Sequence, residues 1–235
     1  MGRAFEYRRK AKEARWDKMS KVFPKLAKTI TMAAKEGGPD PESNAKLRTA
    51  IQTAKAENMP KDNIQKAIAR ATGKDAANYE EVNYEGKGPH GVMLWVECAT
   101  DNNTRTFANV RMHFNKGGGQ LLEAGALGFM FNRKAVVDFP VEGLDMEEVE
   151  LSLIDSGLEE LEVKDGVATA TGEFTNFGSL CKGCEDLGIE VTKARPERIP
   201  TSPVEFSEAQ IEEIEELIDV LEDDEDVQTV FTNIA

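Results

Sequence analysis

Histidine, cysteine and tryptophan are scarce in this chain: two, three and two residues among 235. His90 and His113 are too few and too isolated to form a metal site or a catalytic triad. An odd number of cysteines does not build a disulfide framework and fits a reducing compartment, so a cytoplasmic location is expected. No apolar run approaches the roughly 18 residues that would span a bilayer. Residues Met1 to Lys10 are charged from Arg3 onward and lack the apolar stretch of a signal peptide, so no membrane partner is expected. No repeat with a period of about 20–50 residues is visible. A clustered acid, base or nucleophile is also missing, so the expectation is a protein without catalysis, metal or cofactor, and a monomer in solution.

What remains is a normal globular composition, 40% hydrophobic and 31% charged, with an abnormal distribution of charge. Residues 1–74 carry 18 Lys and Arg against 8 Asp and Glu, a balance of +10; the remainder carries 11 against 35, a balance of −24. The net charge of −14 therefore conceals a basic module attached to an acidic body. Such a division fits a protein that turns one part toward a polyanion, with nucleic acid the first candidate.

Periodicity places helices first and alternating strands and helices afterwards. Met19, Val22, Phe23, Leu26, Ala27, Ile30, Ala33 and Ala34 recur at helical spacing over Asp17–Lys35, and Gly37-Gly38-Pro39 stops that helix. A second helix is read over about Pro41 to Glu57, and a third after Asn58-Met59-Pro60, with Pro60 at its first position and Gly73 closing it. Strands are then expected at Tyr79–Glu85 and Gly91–Ala99, a helix at Asn103–Lys116 and a strand at Gly125–Asn132. The series strand Ala135–Pro140, helix Asp145–Ser156, strands Leu158–Lys164 and Val167–Thr171, helix Glu173–Leu187, strand Ile189–Ile199 has the βαββαβ order of a ferredoxin-like unit. Helix Ser207–Leu221 and strand Asp226–Phe231 are left over and would complete the earlier set. The implied organisation is a basic N-terminal extension, residues 1–16; a helical domain, 17–78; a discontinuous α/β middle domain, 79–134 plus 201–235; and an inserted ferredoxin-like α/β domain, 135–200.

Lys18, Lys21, Lys25, Lys28 and Lys35 fall within one sector of the first helix, roughly opposite its apolar stripe. Ahead of them stand Arg3, Arg8, Arg9, Lys10, Lys12 and Arg15, interleaved with Phe5, Tyr7 and Trp16. Such residues neutralise phosphates, release counterions and offer stacking surfaces, with little dependence on base sequence. The candidate nucleic-acid-binding set is therefore Arg3, Arg8, Arg9, Lys10, Lys12, Arg15, Lys18, Lys21, Lys25 and Lys28, joined by Arg48 and Lys61. No helix opens with the exposed Arg, Asn or Gln of a major-groove reader; Asp62 spoils the start of the third.

Three motifs are expected to be structural. Gly86-Lys87-Gly88-Pro89-His90-Gly91 matches the glycine pattern of a dinucleotide loop but leads into a strand, so it reads as a hairpin loop. Cys181 and Cys184 share the apolar face of a helix and read as core. The acidic run Glu222–Asp226 reads as a solvated turn.

The separated motifs Lys21-x-Phe23-x-Lys25, Gly38-Pro39-Asp40-Pro41-x-x-Asn44-x-x-Leu47-Arg48-x-Ala50-Ile51 and Asn58-Met59-Pro60-Lys61-x-x-Ile64-x-x-Ala67-Ile68 resemble the YebC family. So do Tyr84-Glu85-Gly86, Thr100-Asp101-Asn102-x-x-Arg105-Thr106 and Gly128-x-x-Phe131, and the likeness spans nearly the whole chain. It departs at the start: many members begin Gly-His-Ser-Lys-Trp, where this chain has Met1-Gly2-Arg3-Ala4-Phe5. The resemblance implies an α+β fold, an N-terminal three-helix module followed by two ferredoxin-like α/β domains, with the middle domain discontinuous. It also implies a regulator of gene expression. Family members are described as DNA-binding transcriptional regulators; others are a mitochondrial translational activator and bacterial factors that relieve ribosome stalling on proline-rich stretches. DNA and ribosomal RNA, and with it the ribosome, thus both stand as expected partners. In the ribosomal version Asp101, Asn102, Arg105, Thr106 and Arg111 form a second candidate functional set.

Overall fold

The computed structural model describes residues 3–73 and 78–235, the side chains of residues 3–19 and 56 excepted. The first helix, α1, runs from Arg3 to Gly37 and contains Pro24. Residues 3–16 of the segment expected as an extension ahead of the helix are thus part of it. Its Arg, Lys, Glu and Ala residues favour helix without any apolar stripe, the only feature a periodicity search reads. Helix α2 covers Ala45–Ala56 and α3 Lys61–Thr72. Pro60 sits one position earlier than expected, at the N-cap of α3, and Gly73 follows the helix.

Asn44 joins α1 to α2. Its Oδ1 accepts from the Leu47 N–H at 3.0 Å, while Nδ2 donates to the carbonyls of Ala33 and Gly38, both at 2.8 Å. The side chain is buried, and its short reach brings the chain so close that a Cβ at Gly37 would lie 2.7 Å from it. Ile30, Ala33, Ala34, Leu47, Ala50, Ala54, Met59, Ile64 and Ala67 form the core of this three-helix module. Alanines at its contacts let the helix axes approach closely.

Strands β1 (Glu80–Lys87) and β2 (Met93–Thr100) form an antiparallel hairpin across the glycine-rich loop, where His90 and Gly91 both have positive φ. Helix α4 occupies Asn103–Lys116, as expected, and the two-residue strand β3 is Gln120–Leu121. After β4 (Phe131–Pro140) come α5 (Met146–Ile154), β5 (Leu158–Lys164), β6 (Val167–Glu173), α6 (Phe177–Asp186) and β7 (Lys193–Pro200). The chain ends with α7 (Glu208–Glu222) and β8 (Val227–Thr232).

Two four-stranded antiparallel sheets result, ordered β3-β1-β2-β8 and β5-β6-β4-β7, the latter the ferredoxin-like order. With the three-helix module these make an α+β protein of seven α-helices and two sheets among the described residues. Helices α4 and α7 cover one face of the first sheet, where Leu94, Val96 and Cys98 meet Val110, Phe114, Ile214, Leu217 and Leu221. The opposite face packs Trp95 against Leu127 and Phe131. Alternate residues of β2 therefore meet apolar partners on both sides. The second sheet carries its core against α5 and α6, and both Cys181 and Cys184 belong to that packing. Burial pushes their thiols up to about 11 and about 12, and that of Cys98 to about 12, so all three are poor nucleophiles.

The strand expected at Gly125–Asn132 is instead a run of turns through residue 130, with β4 starting at Phe131. Glu85 supplies the reason. Its buried carboxylate accepts the N–H of Gly125 at 2.7 Å and that of Leu127, and its carbonyl accepts the Leu122 N–H at 2.8 Å. These backbone donors are thereby withdrawn from any ladder. Next to it, Gly86 lies beneath the Phe114 ring, where a Cβ would come within 2.3 Å of a ring carbon. The Tyr84-Glu85-Gly86 motif thus holds a loop on one face of the sheet and a helix on the other. Glu85→Ala should cost about 2 kcal/mol, since buried backbone donors lose their acceptor. Urea unfolding measures that loss, and hydrogen exchange at the Gly125 and Leu127 amides should accelerate; unchanged exchange would contradict the clamp.

Candidate nucleic-acid interface

The basic helix does not present all its cations outward. Lys21 Nζ lies 2.6 Å from Asp223 Oδ1, and Lys25 Nζ donates to the Glu222 carbonyl at 2.7 Å. Lys28 reaches deepest, donating to Asp226 Oδ1 at 2.9 Å and to the carbonyls of Glu225 and Ala99 at 2.7 and 3.3 Å. Three lysines expected to meet an external polyanion are therefore engaged with an acidic turn some 200 residues later in the chain. The turn is solvated at Glu222, Asp223 and Glu225, as expected from its composition, but Asp226 at its end is only 3% exposed.

Asp226 also gathers the second candidate set. Its Oδ2 accepts from Arg105 Nη2 at 2.7 Å and Nε at 3.2 Å, with Thr106 Oγ1 at 2.9 Å and Thr100 Oγ1 at 3.4 Å. Arg105 Nη2 additionally pairs with Asp101 at 2.9 Å. Asn102 caps α4 by accepting the Arg105 N–H, and its own N–H donates to Thr100 Oγ1. Thr106 is fully buried. In this conformation Asn102, Arg105 and Thr106 assemble a joint between α4, β8 and α1. Arg111 stands apart, exposed on the outer side of α4.

The other candidates are dispersed. Arg48 is half-buried on α2, with Nη1 3.4 Å from the Pro41 carbonyl, and its charge faces Cys181. Lys61 is exposed at the start of α3, and Lys66 and Arg70 are exposed further along that helix. Arg3, Arg8, Arg9, Lys10, Lys12, Arg15 and Lys18 have side chains outside the described residues, though their backbone belongs to α1. Among the described residues no group of three or more His, Cys, Asp or Glu is placed to hold a metal ion, and no helix is long and apolar enough to cross a membrane.

Magnitude separates these ion pairs. Lys21 and Asp223 are each about half exposed, a setting in which a pair contributes roughly 0–1 kcal/mol. Lys28 and Asp226 are 14% and 4% exposed, so losing either leaves a charge away from water. Burial works to raise the Asp226 pKa, but hydrogen bonds from Arg105, Lys28 and Thr106 outweigh it and hold the carboxyl below its ordinary value. Sequence reasoning missed Asp226 because five consecutive acids resemble a surface turn. The one available signal was the apolar Val227 directly after it, marking a strand that enters the core. Asp226→Ala should destabilise the protein by about 3 kcal/mol at neutral pH. A depressed carboxyl pKa contributes stability that is present above the unfolded-state value and lost as pH falls through the folded-state value. Urea unfolding over an acid pH series should show that loss in the native protein and a flatter acid limb in Asp226→Asn.

Comparison with known proteins agrees with this architecture. Residues 3–74 match the family model described as the TACO1/YebC protein N-terminal domain, and residues 79–234 match the TACO1/YebC second and third domain. A protein of Wolinella succinogenes named a probable transcriptional regulatory protein is 65% identical over 237 residues, covering the whole of both chains. One of the same name from Campylobacter jejuni is 59% identical over 234 residues, again with both chains fully covered. The crystal structure of a conserved hypothetical protein from Aquifex aeolicus superposes with a TM-score of 0.81 at 35% identity, over 93% of this chain and 90% of that one. With both family models matched in register with the three-helix module and the two sheets, the chain belongs to the TACO1/YebC family.

Proposed function

We propose that this protein is a nucleic-acid-binding regulator of gene expression, acting through the cations at the start of α1 as a DNA-binding transcriptional regulator. The observation that carries the reading is the division of charge, +10 in residues 1–74 against −24 in the remainder. The names of the relatives support a regulatory role. The acidic turn engages Lys21, Lys25 and Lys28, so the polyanion contact is assigned chiefly to Arg3, Arg8, Arg9, Lys10, Lys12, Arg15 and Lys18, with Lys61 as an exposed addition. The segments 79–134 plus 201–235 and 135–200 are proposed for the two α/β domains; the membership of each sheet supports the discontinuous arrangement but moves the first boundary ahead of Phe131, where β4 begins to pair with β7.

A second reading, a ribosome-associated factor contacting ribosomal RNA, is favoured by the placement of the exposed cations. Lys61, Lys66 and Arg70 lie on α3 and Arg111 and Lys116 on α4, so positive charge is offered from two different units of the fold. A large folded RNA can meet both, whereas a single duplex groove is read by one element with a compact set of base-facing side chains.

Replacing Arg8, Arg9, Lys10 and Arg15 with glutamine should weaken binding to duplex DNA and to RNA alike. The slope of log affinity against log salt should flatten by about 0.7–0.9 for each lost phosphate contact. Unchanged affinity in that variant would contradict the proposal. Sedimentation of the native protein from DNase-treated lysate separates the two versions: co-migration with ribosomes, lost in the same variant, supports the translational one, and absence from ribosomal fractions supports the transcriptional one.

A further inference from the structure

Helix α4 differs from the acidic body around it. Residues from 75 onward hold 35 Asp and Glu against 11 Lys and Arg, yet the fourteen residues of α4 include no acid and carry Arg105, Arg111, His113 and Lys116. Its inner side, Thr106, Val110 and Phe114, is buried against the first sheet and α7. Its outer side shows two parallel rows at i, i+4, i+8 spacing, Phe107–Arg111–Asn115 and Ala108–Met112–Lys116. These six residues line one shallow surface depression. Phe107 is 45% exposed and Met112 41%, an unusual outlay of apolar area on a helix with otherwise ample polar choice. The Phe107 ring is steadied on one edge by Tyr84, with centroids 6.1 Å apart and planes at 48°, so its other surface is held ready rather than left to swing.

We propose that this outer face of α4 is a stacking platform for unpaired RNA. A splayed base lies on Phe107 beside the Met112 thioether, Arg111 and Lys116 take the flanking phosphates, and the Asn115 amide meets a base edge or a ribose hydroxyl. The combination of exposed ring, guanidinium, ammonium and amide without a carboxylate is the one a nucleotide strand requires and an acidic-bodied protein would otherwise avoid. RNA is the committed occupant because its loops expose unstacked bases, whereas duplex DNA keeps its bases within the helix. The acids bonded to α4 are engaged with its own or neighbouring side chains: Asp226 with Arg105 and Lys28, Asp101 with Arg105, Asp224 3.4 Å from His113, and Glu80 3.0 Å from the Asn103 amide, one turn ahead of Phe107. A strand that starts at Phe107 and follows Arg111 and Asn115 toward the end of α4 runs over a depression lined by no carboxylate. The inference rests on the nucleic-acid reading and adds a second, stacking contact to the electrostatic one at the start of α1.

The test is fluorescence anisotropy of the full chain with a labelled short unstructured RNA, the matching single-stranded DNA and an RNA duplex, after thermal unfolding has shown each variant to be folded. Native protein should prefer the unstructured RNA. Phe107→Leu keeps an apolar side chain against Tyr84 but removes the π-face, and should weaken that RNA about tenfold with little change for the duplex. Phe107→Trp should restore the preference. The double substitution Arg111→Gln, Lys116→Gln should flatten the salt slope by about 1.4 for the unstructured RNA. Equal binding by native and Phe107→Leu protein would overturn the platform, and if the α1 glutamine variant still lost affinity, the nucleic-acid reading would survive it. Binding by native protein to none of the three probes would overturn both. Preference for the single-stranded DNA over RNA would reject RNA as the occupant.

Discussion

The buried carboxylate of Asp226 is the constraint on which the arrangement of this protein depends. A charge taken out of water must be matched by donors already in place, and here they come from three distant stretches of chain: Lys28 on α1, Arg105 and Thr106 on α4, and Thr100 at the end of β2. The consequence is geometric. A 35-residue basic helix is fixed against the end of an acidic sheet, with Lys21 and Lys25 drawn onto the same turn. The positive and negative parts of the chain therefore meet at this seam, and again where Thr53 on α2 donates to the Ala194 carbonyl of β7 at 3.2 Å. The helix continues beyond that seam toward its N-terminus, where the sequence carries Arg3, Arg8, Arg9, Lys10, Lys12, Arg15 and Lys18.

Function is read from what the seam leaves over. Of the twelve cations that sequence alone would aim at nucleic acid, Lys21, Lys25 and Lys28 are engaged by the acidic turn, and the charge division would overstate the available binding surface if they were counted. The family to which the chain belongs, and the regulatory names of its relatives, agree with a regulatory protein; the proposed nucleic-acid contact falls to the remaining cations. The fold contributes rigidity at specific points: Asn44 between α1 and α2, Glu85 beneath the turn at Gly125 and Leu127, and Tyr84 against Phe107. Each of these side chains falls within a motif that carries the family resemblance, and each holds a loop or a helix in place.

Much of the fold was legible because its elements obey local rules. Helix α4 begins and ends where Asn102 and Gly117 cap it, and α3 is bracketed by Pro60 and Gly73, signals carried by single residues. The ferredoxin-like order followed from alternating patterns separated by glycine turns. The failures share a different cause, partners far apart in sequence. Gly125–Leu127 has the composition of a strand, yet its N–H groups are claimed by a glutamate forty residues earlier. The lysines of α1 look like a solvated or ligand-binding face because nothing nearby in the sequence reveals an acidic turn 198 residues away. Arg105 and Thr106 read only as members of a second functional set, with no sign of their partner Asp226, for the same reason. One sequence encodes such pairs but does not disclose them.

The most direct test of the seam is a double-mutant cycle for stability with Lys28→Met and Asp226→Asn, measured by urea unfolding at neutral pH. A coupling energy of about 1–3 kcal/mol is expected if the two charges meet in the native protein as the structure places them. A coupling indistinguishable from zero would mean that α1 is not held by Asp226, and would return Lys21, Lys25 and Lys28 to the set of cations available for nucleic acid.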